Sequence, residues 1–509
     1  MQPASISSRA AALGRTGEFI YQWPNPSPKK ARHLAVPLDT LVCDSHPDTI
    51  AYADSVTSDR RARGPLDETM ELGQHLGFWA AIPFALMLVA VAVLPLAAGK
   101  WFERNRNKGI VAVVLGAPTV VYLLVRFGHP ALVAAGQTAR DYISFMVLLF
   151  SLFTISGGIH LSGDIRATPR TNLTILAAGA VLANIIGTMG AAMVLIHPLL
   201  RINTERARVK HTVVFFIFLA GNIGGLLTPV GPPLYLGYLR GVPFAWTLRL
   251  WPQWLLVVGL TLAVYYALDT YHHRREPESC LLADAENYVP IRLSGGLNIA
   301  LLVLVVVTVF FSGPLSRAGG RIHFPFLGDL VLVALAVLSL ILTPAGPRKA
   351  NRFRWSPIVE VAVLFAGIFA TMVPALALLQ AKGASAGLTQ PWQYFWSSGG
   401  LSAFLDNAPT YLAFATLGMG KVGAATLGGL TSLAPVTGLG FAPARLLAAV
   451  SCGAVFMGSL SYLGNAPNFA VKAIAEHSGR KMPSFFGYMG YSLAVLVPIF
   501  LIVTLIFFL

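Results

Sequence analysis

Long uninterrupted apolar blocks recur along this chain of 509 residues and limit its possible folds more than any other feature. Residues 78–97 read FWAAIPFALMLVAVAVLPLA, and residues 493–509 are equally apolar. Each block is long enough, at about 1.5 Å per helical residue, to cross a hydrocarbon core about 30 Å thick. Hydrophobic residues make up 55% of the sequence and charged residues only 12%, about half the share of charged residues in a typical soluble domain. We therefore expect a membrane protein with several spans.

The basic residues follow the pattern of a membrane topology signal. The formal net charge is +15, but the bases lie in short loops between the apolar blocks. After residue 75 there are 29 Lys and Arg, of which 20 fall in one alternating set of loops and nine in the other. Loops rich in Lys and Arg face the cytoplasm. This rule assigns the loop at 98–109 to the cytoplasmic side, and no nucleic acid is expected as a partner.

Hydropathy predicts ten spans and two interrupted apolar stretches. The spans lie at about 78–97, 108–126, 142–160, 212–240, 252–268, 295–312, 327–343, 357–378, 447–474 and 485–508. The interrupted stretches, 173–200 and 392–420, carry Asn-Ile-Ile-Gly-Thr and Asp-Asn-Ala-Pro-Thr near their middles. We interpret both as re-entrant hairpins, because a full crossing by either one would invert all later loops and destroy the charge asymmetry.

The predicted elements form one pattern that occurs twice: three spans, a hairpin, a broken span and one more span. An odd number of crossings per half gives the halves opposite orientation. The expected fold is therefore an all-α polytopic membrane protein with two inverted repeats, residues 76–270 and 295–509, joined by a cytoplasmic linker at 271–294. Residues 1–75 are polar and are expected to form a disordered tail, or in part an over-extended start before Met70. Inverted repeats with discontinuous helices are typical of secondary transporters.

Four interruptions carry the chemical information. The first hairpin reads ANIIGTMG at 183–190, and the first broken span reads GNIGGLLTPVGPP at 221–233. The second hairpin carries FLDNAPT at 404–410, and the second broken span reads GSLSYLGNAPN at 458–468. Pro and Gly at this density interrupt a helix, and the freed backbone groups cost several kcal/mol each in hydrocarbon unless they are satisfied. Carbonyl, Asn and Thr oxygens would suit Na⁺, and half-helix N-termini would suit an anion. The alternative is that these segments are kinks and tight helix contacts.

Five motifs show a resemblance to a known family. They are GGIHLSG at 157–163, ANIIGTMGAAMVLIHPLLR at 183–201, FFIFLAGNIGGLLTPVGPPLYLGYLRGVPF at 215–244, FLDNAPTYL at 404–412 and YLGNAPNFAVKAIAE at 462–476. Residues 75–509 resemble the ion transporter superfamily, which includes citrate, dicarboxylate and arsenite permeases. Within it the chain is most similar to D-type bacterial sodium/proton antiporters and their relatives described as "putative citrate transport" proteins.

The resemblance implies two oxygen-rich cation sites, each between a hairpin tip and a broken helix. The residues that correspond in the first site are Asn184, Thr188, Asn222, Gly224, Thr228 and Pro229, and in the second Asp406, Asn407, Thr410, Gly464, Asn465 and Asn468. The resemblance also implies a homodimer in a bacterial inner membrane, with a hairpin-containing core that slides against a scaffold. Sodium and protons would be coupling or transported ions, with no cofactor.

One acid is the main candidate for carrying protons. Asp406 lies at a hairpin tip, where a carboxylate could exchange Na⁺ for H⁺, although it could also be a helix-capping residue. Glu360 is a second candidate, but it lies near Arg352 and Arg354, which favours a cytoplasmic ion pair or a helix N-terminal charge over a role in transport. The antiporter-like relatives carry an Asp after the glycine in T-P-x-G-D-P-P, whereas here Gly231 runs directly into Pro232.

These features favour a secondary transporter, with sodium/proton antiport as the first expectation. A cation-coupled carrier of citrate or another carboxylate, or of arsenite, is the alternative, and the missing acid after Gly231 argues in its favour. An intramembrane aspartyl protease around Asp329 is a remote alternative, because such an enzyme needs a second aspartate across the site. A passive channel fits inverted hairpins less well. We therefore expect no enzyme.

Overall fold

The computed structural model describes residues 65–102, 104–317, 326–351, 353–385, 387–436 and 440–509. The helices of the first half are α1 Pro65–His75, α2 Ile82–Ala97, α3 Gly99–Phe102, α4 Asn105–Phe127, α5 His129–Ser156, α6 Pro169–Ile202, α7 Lys210–Leu219, α8 Pro232–Leu239, α9 Phe244–Thr247 and α10 Trp251–His273. The linker contains α11 Glu278–Glu286. The helices of the second half are α12 Gly296–Arg317, α13 Leu327–Leu342, α14 Ala345–Ala350, α15 Ser356–Lys382, α16 Pro391–Ser402, α17 Asn407–Val422, α18 Pro443–Met457, α19 Ala466–His477 and α20 Phe485–Val503.

Shorter elements connect these helices. The 3₁₀ turns are Phe78–Ala81, Ile223–Leu226, Leu248–Leu250, Gly383–Ser385, Leu427–Thr431 and Gly458–Leu460, and a π-turn at Thr504–Phe508 follows α20. The strands β1 His160–Asp164 and β2 Val289–Ser294 pair in antiparallel fashion, with His160 opposite Ser294. This ribbon ties the loop after α5 to the linker between the halves, so the predicted linker is partly structured.

The prediction of an all-α polytopic membrane protein is confirmed. Eight helical stretches in the described part of the chain are long and apolar enough to span a membrane. They are Phe78–Pro95, Asn105–Phe127, His129–Ser156, Pro169–Ile202, Phe244–His273, Ser356–Ser385, Pro443–Leu460 and Phe485–Phe508, and the stretches Lys210–Leu226, Gly296–Ser312 and Leu327–Leu342 are apolar but shorter. Large apolar side chains remain exposed on the outer helices, such as Val125 at 83%, where lipid would cover them.

Helix α6 is a hairpin, because the chain reverses its direction at Gly187. The backbone of Gly187 has φ +70° and ψ 162°, which is far from helical values. The side-chain amides of Asn172 and Asn203 exchange two hydrogen bonds of 2.9 and 2.8 Å. These residues would lie about 46 Å apart on a straight helix, so the two ends of α6 emerge on the same side.

The other three interruptions also lie where the sequence places them. The second hairpin breaks between α16 and α17, and the two broken spans unwind between α7 and α8 and between α18 and α19. The repeat of spans, hairpin and broken span in both halves is still a prediction. The opposite orientation of the halves stays a prediction.

The predicted tail is wrong for its last eleven residues. Helix α1 occupies residues 65–75 and packs against α5 and α15. Leu72 in the helix and Leu76 directly after it are each 2% exposed in this contact. Leu72 and Leu76 are four residues apart and share one apolar face, but the segment is too short and too polar to be recognised as a helix from hydropathy. Residues 1–64 lie outside the described part of the chain.

We divide the long helices into two groups, which also contact each other extensively, above all through α15 and α17. The core group consists of the hairpins, the broken spans and their following helices, which are α6, α7, α8, α10, α16, α17, α18, α19 and α20. The scaffold group consists of α2, α4, α5, α12, α13 and α15. All residues from His211 to Leu219 of α7 are buried, as are most residues of α18. The interrupted segments thus lie inside protein, where unwound backbone can be satisfied.

Candidate functional site

The first hairpin tip is attached to the first break by side-chain hydrogen bonds to backbone. Asn184 Oδ1 accepts a hydrogen bond from the backbone N–H of Leu227 at 2.8 Å. Thr228 Oγ1 donates in turn to the backbone carbonyl of Asn184. Thr188 packs its methyl group toward Gly225, and its hydroxyl oxygen is buried without a hydrogen-bond partner in the described part of the chain. The structure therefore places Asn184 and Thr228 in contact, with Thr188 beside Gly225 of the same break.

Two further residues of the predicted first site have structural surroundings that the sequence did not indicate. The carbonyl of Gly224 accepts a hydrogen bond of 2.9 Å from the indole Nε1 of Trp254 on α10. A side chain on Gly224 would clash with the backbone of Ala180 on the hairpin. Pro229 is buried between the two halves of the broken span. Gly224 thus permits a close contact between helices, and its carbonyl oxygen already accepts a hydrogen bond.

The two breaks are bonded directly to each other. Asn222 of the first break donates from Nδ2 to Oδ1 of Asn468 at 2.7 Å. Asn465 of the second break donates from Nδ2 to the carbonyl of Gly221 at 2.8 Å. Asn468 also donates to the carbonyls of Gly458 and Ser461, both at 2.9 Å. Asn222 therefore lies between the two predicted sites and links them.

The second hairpin tip is built around the start of α17. Asp406 is the N-cap residue of this helix, and its Oδ1 accepts a hydrogen bond from the backbone N–H of Ala408 at 3.0 Å. Thr410 Oγ1 donates to the carbonyl of Asp406 at 3.0 Å. The Oδ1 of Asn407 is buried and has no hydrogen-bond partner among the described residues. A buried amide oxygen in this position is available as a ligand.

Gly464 allows the second break to approach the hairpin closely. A Cβ atom at this position would clash with the carbonyl oxygens of Gly458 and Ser402. Ser402 at the end of α16 donates its hydroxyl to the carbonyl of Ala454 at 2.6 Å, and Ser461 donates to the carbonyl of Ala403. These serines were not predicted as site residues, since a single Ser in an apolar helix carries no distinctive pattern.

One pocket brings all four interruptions together. The core side of the pocket is formed by Ile186, Gly187, Thr188, Met189, Gly190, Val230, Pro232, Asp406, Asn465, Ala466 and Pro467, and the scaffold side by Phe145, Leu149, Leu152, Phe153, Pro357, Ile358, Val361 and Phe365. The core side carries the polar groups, whereas the scaffold side is a wall of apolar side chains. Asp406 is the one charged residue among these lining residues.

Four helix starts meet at this pocket. Helix α8 begins at Pro232, helix α19 at Ala466 and helix α17 after Asp406, and the second arm of α6 begins after Gly187. Neither α8 nor α19 has a side chain that caps its N-terminus. Helix N-termini carry a partial positive charge, so they attract an anion. The pocket therefore combines oxygen ligands suited to a cation with helix ends suited to a carboxylate.

Glu360 forms an ion pair outside the pocket. Its Oε1 lies 2.6 Å from Nζ of Lys108, so α15 and α4 of the scaffold are joined by an ion pair. Glu360 is not one of the residues that line the pocket. The sequence shows bases near Glu360 at 352 and 354, but it does not reveal Lys108, which is distant along the chain.

A buried charged cluster at the base of the first hairpin was not predicted. Asp269 on α10 is fully buried and lies 2.8 Å from Nη2 of Arg206 and 2.8 Å from Nε2 of His211. It holds the loop after the hairpin against α7 and α10. No group of three or more His, Cys, Asp or Glu in the described ranges is arranged to hold a metal ion.

Comparison with known proteins identifies a family. The family model described as "Putative citrate transport" matches residues 73–508, which covers both halves and the whole pocket. No match was found among proteins of curated function.

Proposed function

This chain belongs to the "Putative citrate transport" family, and we propose that it carries citrate or a related carboxylate across the membrane together with a cation. Membership in a transporter family agrees with the absence of enzymatic function expected from the sequence. It also agrees with a multi-pass membrane protein. The substrate, the coupling cation and a bacterial inner-membrane location are parts of the proposal.

The convergence of both hairpin tips and both breaks on one pocket is the observation that carries this proposal. Unwound backbone inside a membrane protein is retained where it lines a site for a solute. The uncapped starts of α8 and α19 would receive a carboxylate. The buried oxygens of Thr188, Asn222 and Asn407, which have no hydrogen-bond partner among the described residues, would supply cation ligands. The bound cation would reduce the repulsion between Asp406 and an anionic substrate.

Movement of the core group against the scaffold group would complete the transport cycle. The polar side of the pocket belongs to the core, and the apolar side belongs to the scaffold. An apolar wall binds a polar solute weakly, so the core could carry the solute along it. This arrangement suits an elevator-type movement, and we propose that the chain works in this way, as a homodimer.

Sodium/proton antiport is the second candidate function. Asp406 favours it, because an antiporter requires a titrating acid near the ion site, and Asp406 lines the pocket. The sequence TPVGPP at 228–233 argues against it, because the antiporter-like relatives carry an additional acid there.

Flux measurements with purified protein in liposomes would test the two functions. Uptake of labelled citrate driven by an imposed Na⁺ gradient or pH gradient would support the carboxylate carrier. Proton movement driven by Na⁺ alone, with no citrate uptake under any gradient, would contradict it and support antiport. Arsenite serves as the third substrate in the same assay.

A further inference from the structure

The residues of the scaffold that line the pocket lie toward one end of α5 and α15. On α5 the pocket is lined by Phe145 and by residues that follow it, as far as Phe153. On α15 it is lined by Phe365 and by residues that precede it, back to Pro357. Both directions lead to loops that the positive-inside rule assigns to the cytoplasm. The pocket thus lies on the cytoplasmic side of Phe145 and Phe365.

Aromatic side chains of the scaffold pack together at the opposite end of this lining. The rings of Phe145 and Phe365 stack with centroids 5.0 Å apart. Phe369 lies 5.9 Å from Phe145, and Tyr142 lies 5.6 Å from Phe369. These four rings pack α5 against α15 and form an apolar layer at the outer end of the pocket lining.

An ion pair lies immediately beyond this layer and joins the two groups of helices. Nε of Arg240 lies 2.9 Å from Oδ2 of Asp141. Asp141 is on α5 of the scaffold, one helical turn from Phe145 and toward the outer side. Arg240 directly follows α8 of the core. Both side chains are largely buried, at 13% exposure for Asp141 and 24% for Arg240.

Helix α8 connects the pocket mechanically to this ion pair. Its first residue, Pro232, lines the pocket, and Arg240 follows its last residue, about 12 Å along the helix axis. Close to the same end, Tyr238 Oη donates to the carbonyl of Val309 on α12 of the scaffold at 2.6 Å. If the core moved outward, α8 would move with the pocket, and the contact with Asp141 would have to break.

We propose that Asp141 and Arg240 are positioning residues that hold the chain in its cytoplasm-facing state. The proposal rests on the transport function proposed above, but it concerns the conformational step and not the substrate. Removing either charge should shift the equilibrium toward the outward-facing state.

Accessibility of one pocket residue tests this proposal without any substrate. The three native cysteines are first replaced, and Met189→Cys then places a single reporter on the core side of the pocket. A membrane-impermeant maleimide is applied from the outer side, and the labelling of this cysteine is measured. With Asp141→Asn or Arg240→Gln, we expect external labelling to increase about fivefold, which is equivalent to about 1 kcal/mol. The charge swap Asp141→Arg with Arg240→Asp should return labelling to the level of the starting protein.

The control is Glu476→Gln, which removes an exposed ion pair with Lys472 inside the core group. It should leave external labelling unchanged. External labelling that stays at the starting level in both single variants would overturn the proposal, and so would an equal increase in the control. Because labelling requires no citrate, failure of citrate uptake in the flux assay would leave this result interpretable.

Discussion

The side-chain amide of Asn222 donates to Oδ1 of Asn468 at 2.7 Å, and this bond joins the break in one half of the chain to the break in the other. Asn222 also donates to the carbonyl of Ile217, and Asn468 donates to the carbonyls of Gly458 and Ser461. The two amides thereby satisfy carbonyls that unwinding has released from helical hydrogen bonds. The two breaks are coupled, so we expect them to move as one unit.

Asn222→Ala should destabilise the protein and impair transport. The substitution leaves Ile217 O and Asn468 Oδ1 without their donor in a fully buried position, and each unsatisfied group costs about 1–3 kcal/mol. Thermal unfolding of the purified protein in detergent measures the loss. The control is Thr308→Val on the scaffold, where the hydroxyl bonds only within its own helix. Equal unfolding temperatures for the two variants would argue against a coupling role for Asn222.

Two glycines with positive φ should respond differently to substitution by Asn. Gly187 at the hairpin tip combines φ +70° with ψ 162°, a region that is essentially restricted to glycine, and strain there costs about 1–3 kcal/mol. Gly423 at the end of α17 has φ +71° and ψ 26°, which Asn adopts readily. We expect Gly187→Asn to lower the unfolding temperature and Gly423→Asn to leave it nearly unchanged. The opposite order would show that the hairpin tip is not strained.

The sequence predicts the interrupted elements well because their signals are local. The length of an apolar block determines whether it can span the bilayer, and a Gly or Pro within it marks a break. Gly187 illustrates this, since the reversal occurs within the ANIIGTMG segment selected from the sequence. Asp406 likewise lies at a helix start, where its side chain caps the helix.

The partners of these residues were harder to predict, because each partner lies far along the chain from the residue that it contacts. Asn222 bonds to a residue 246 positions away, and Trp254 reaches Gly224 from another helix. Neither contact produces a periodic pattern in the sequence from which it could be predicted. The sequence therefore predicted two separate cation sites, whereas the structure links their residues through Asn222. An ion pair was expected for Glu360 from the sequence, but its partner Lys108 was not identified, for the same reason.

The ribbon between the halves should make stability depend on pH through Asp164. Burial raises the pKa of Asp164 to about 6, with a further contribution from the nearby carboxylates of Glu205 and Asp284. A carboxyl group whose pKa is raised in the folded state favours folding below its unfolded pKa, near 3.8, and this contribution is lost as pH rises through about 6. Asp164→Asn should therefore raise the unfolding temperature at pH 8 more than at pH 4. A difference between variant and wild type that does not change with pH would contradict this assignment.

Asp406 can be tested by separating its capping role from its charge. Asn is as good an N-cap residue as Asp, whereas Ala in this position costs about 0.5–2 kcal/mol. Asp406→Asn should therefore keep the unfolding temperature of the wild type, while Asp406→Ala should lower it. If the carboxylate carries the proton or binds the cation, both variants should lose uptake driven by a pH gradient or a Na⁺ gradient in liposomes. Asp406→Asn that retains wild-type uptake at every pH would restrict the residue to capping, and the proton or cation would then have to bind through the neutral oxygens of the pocket alone.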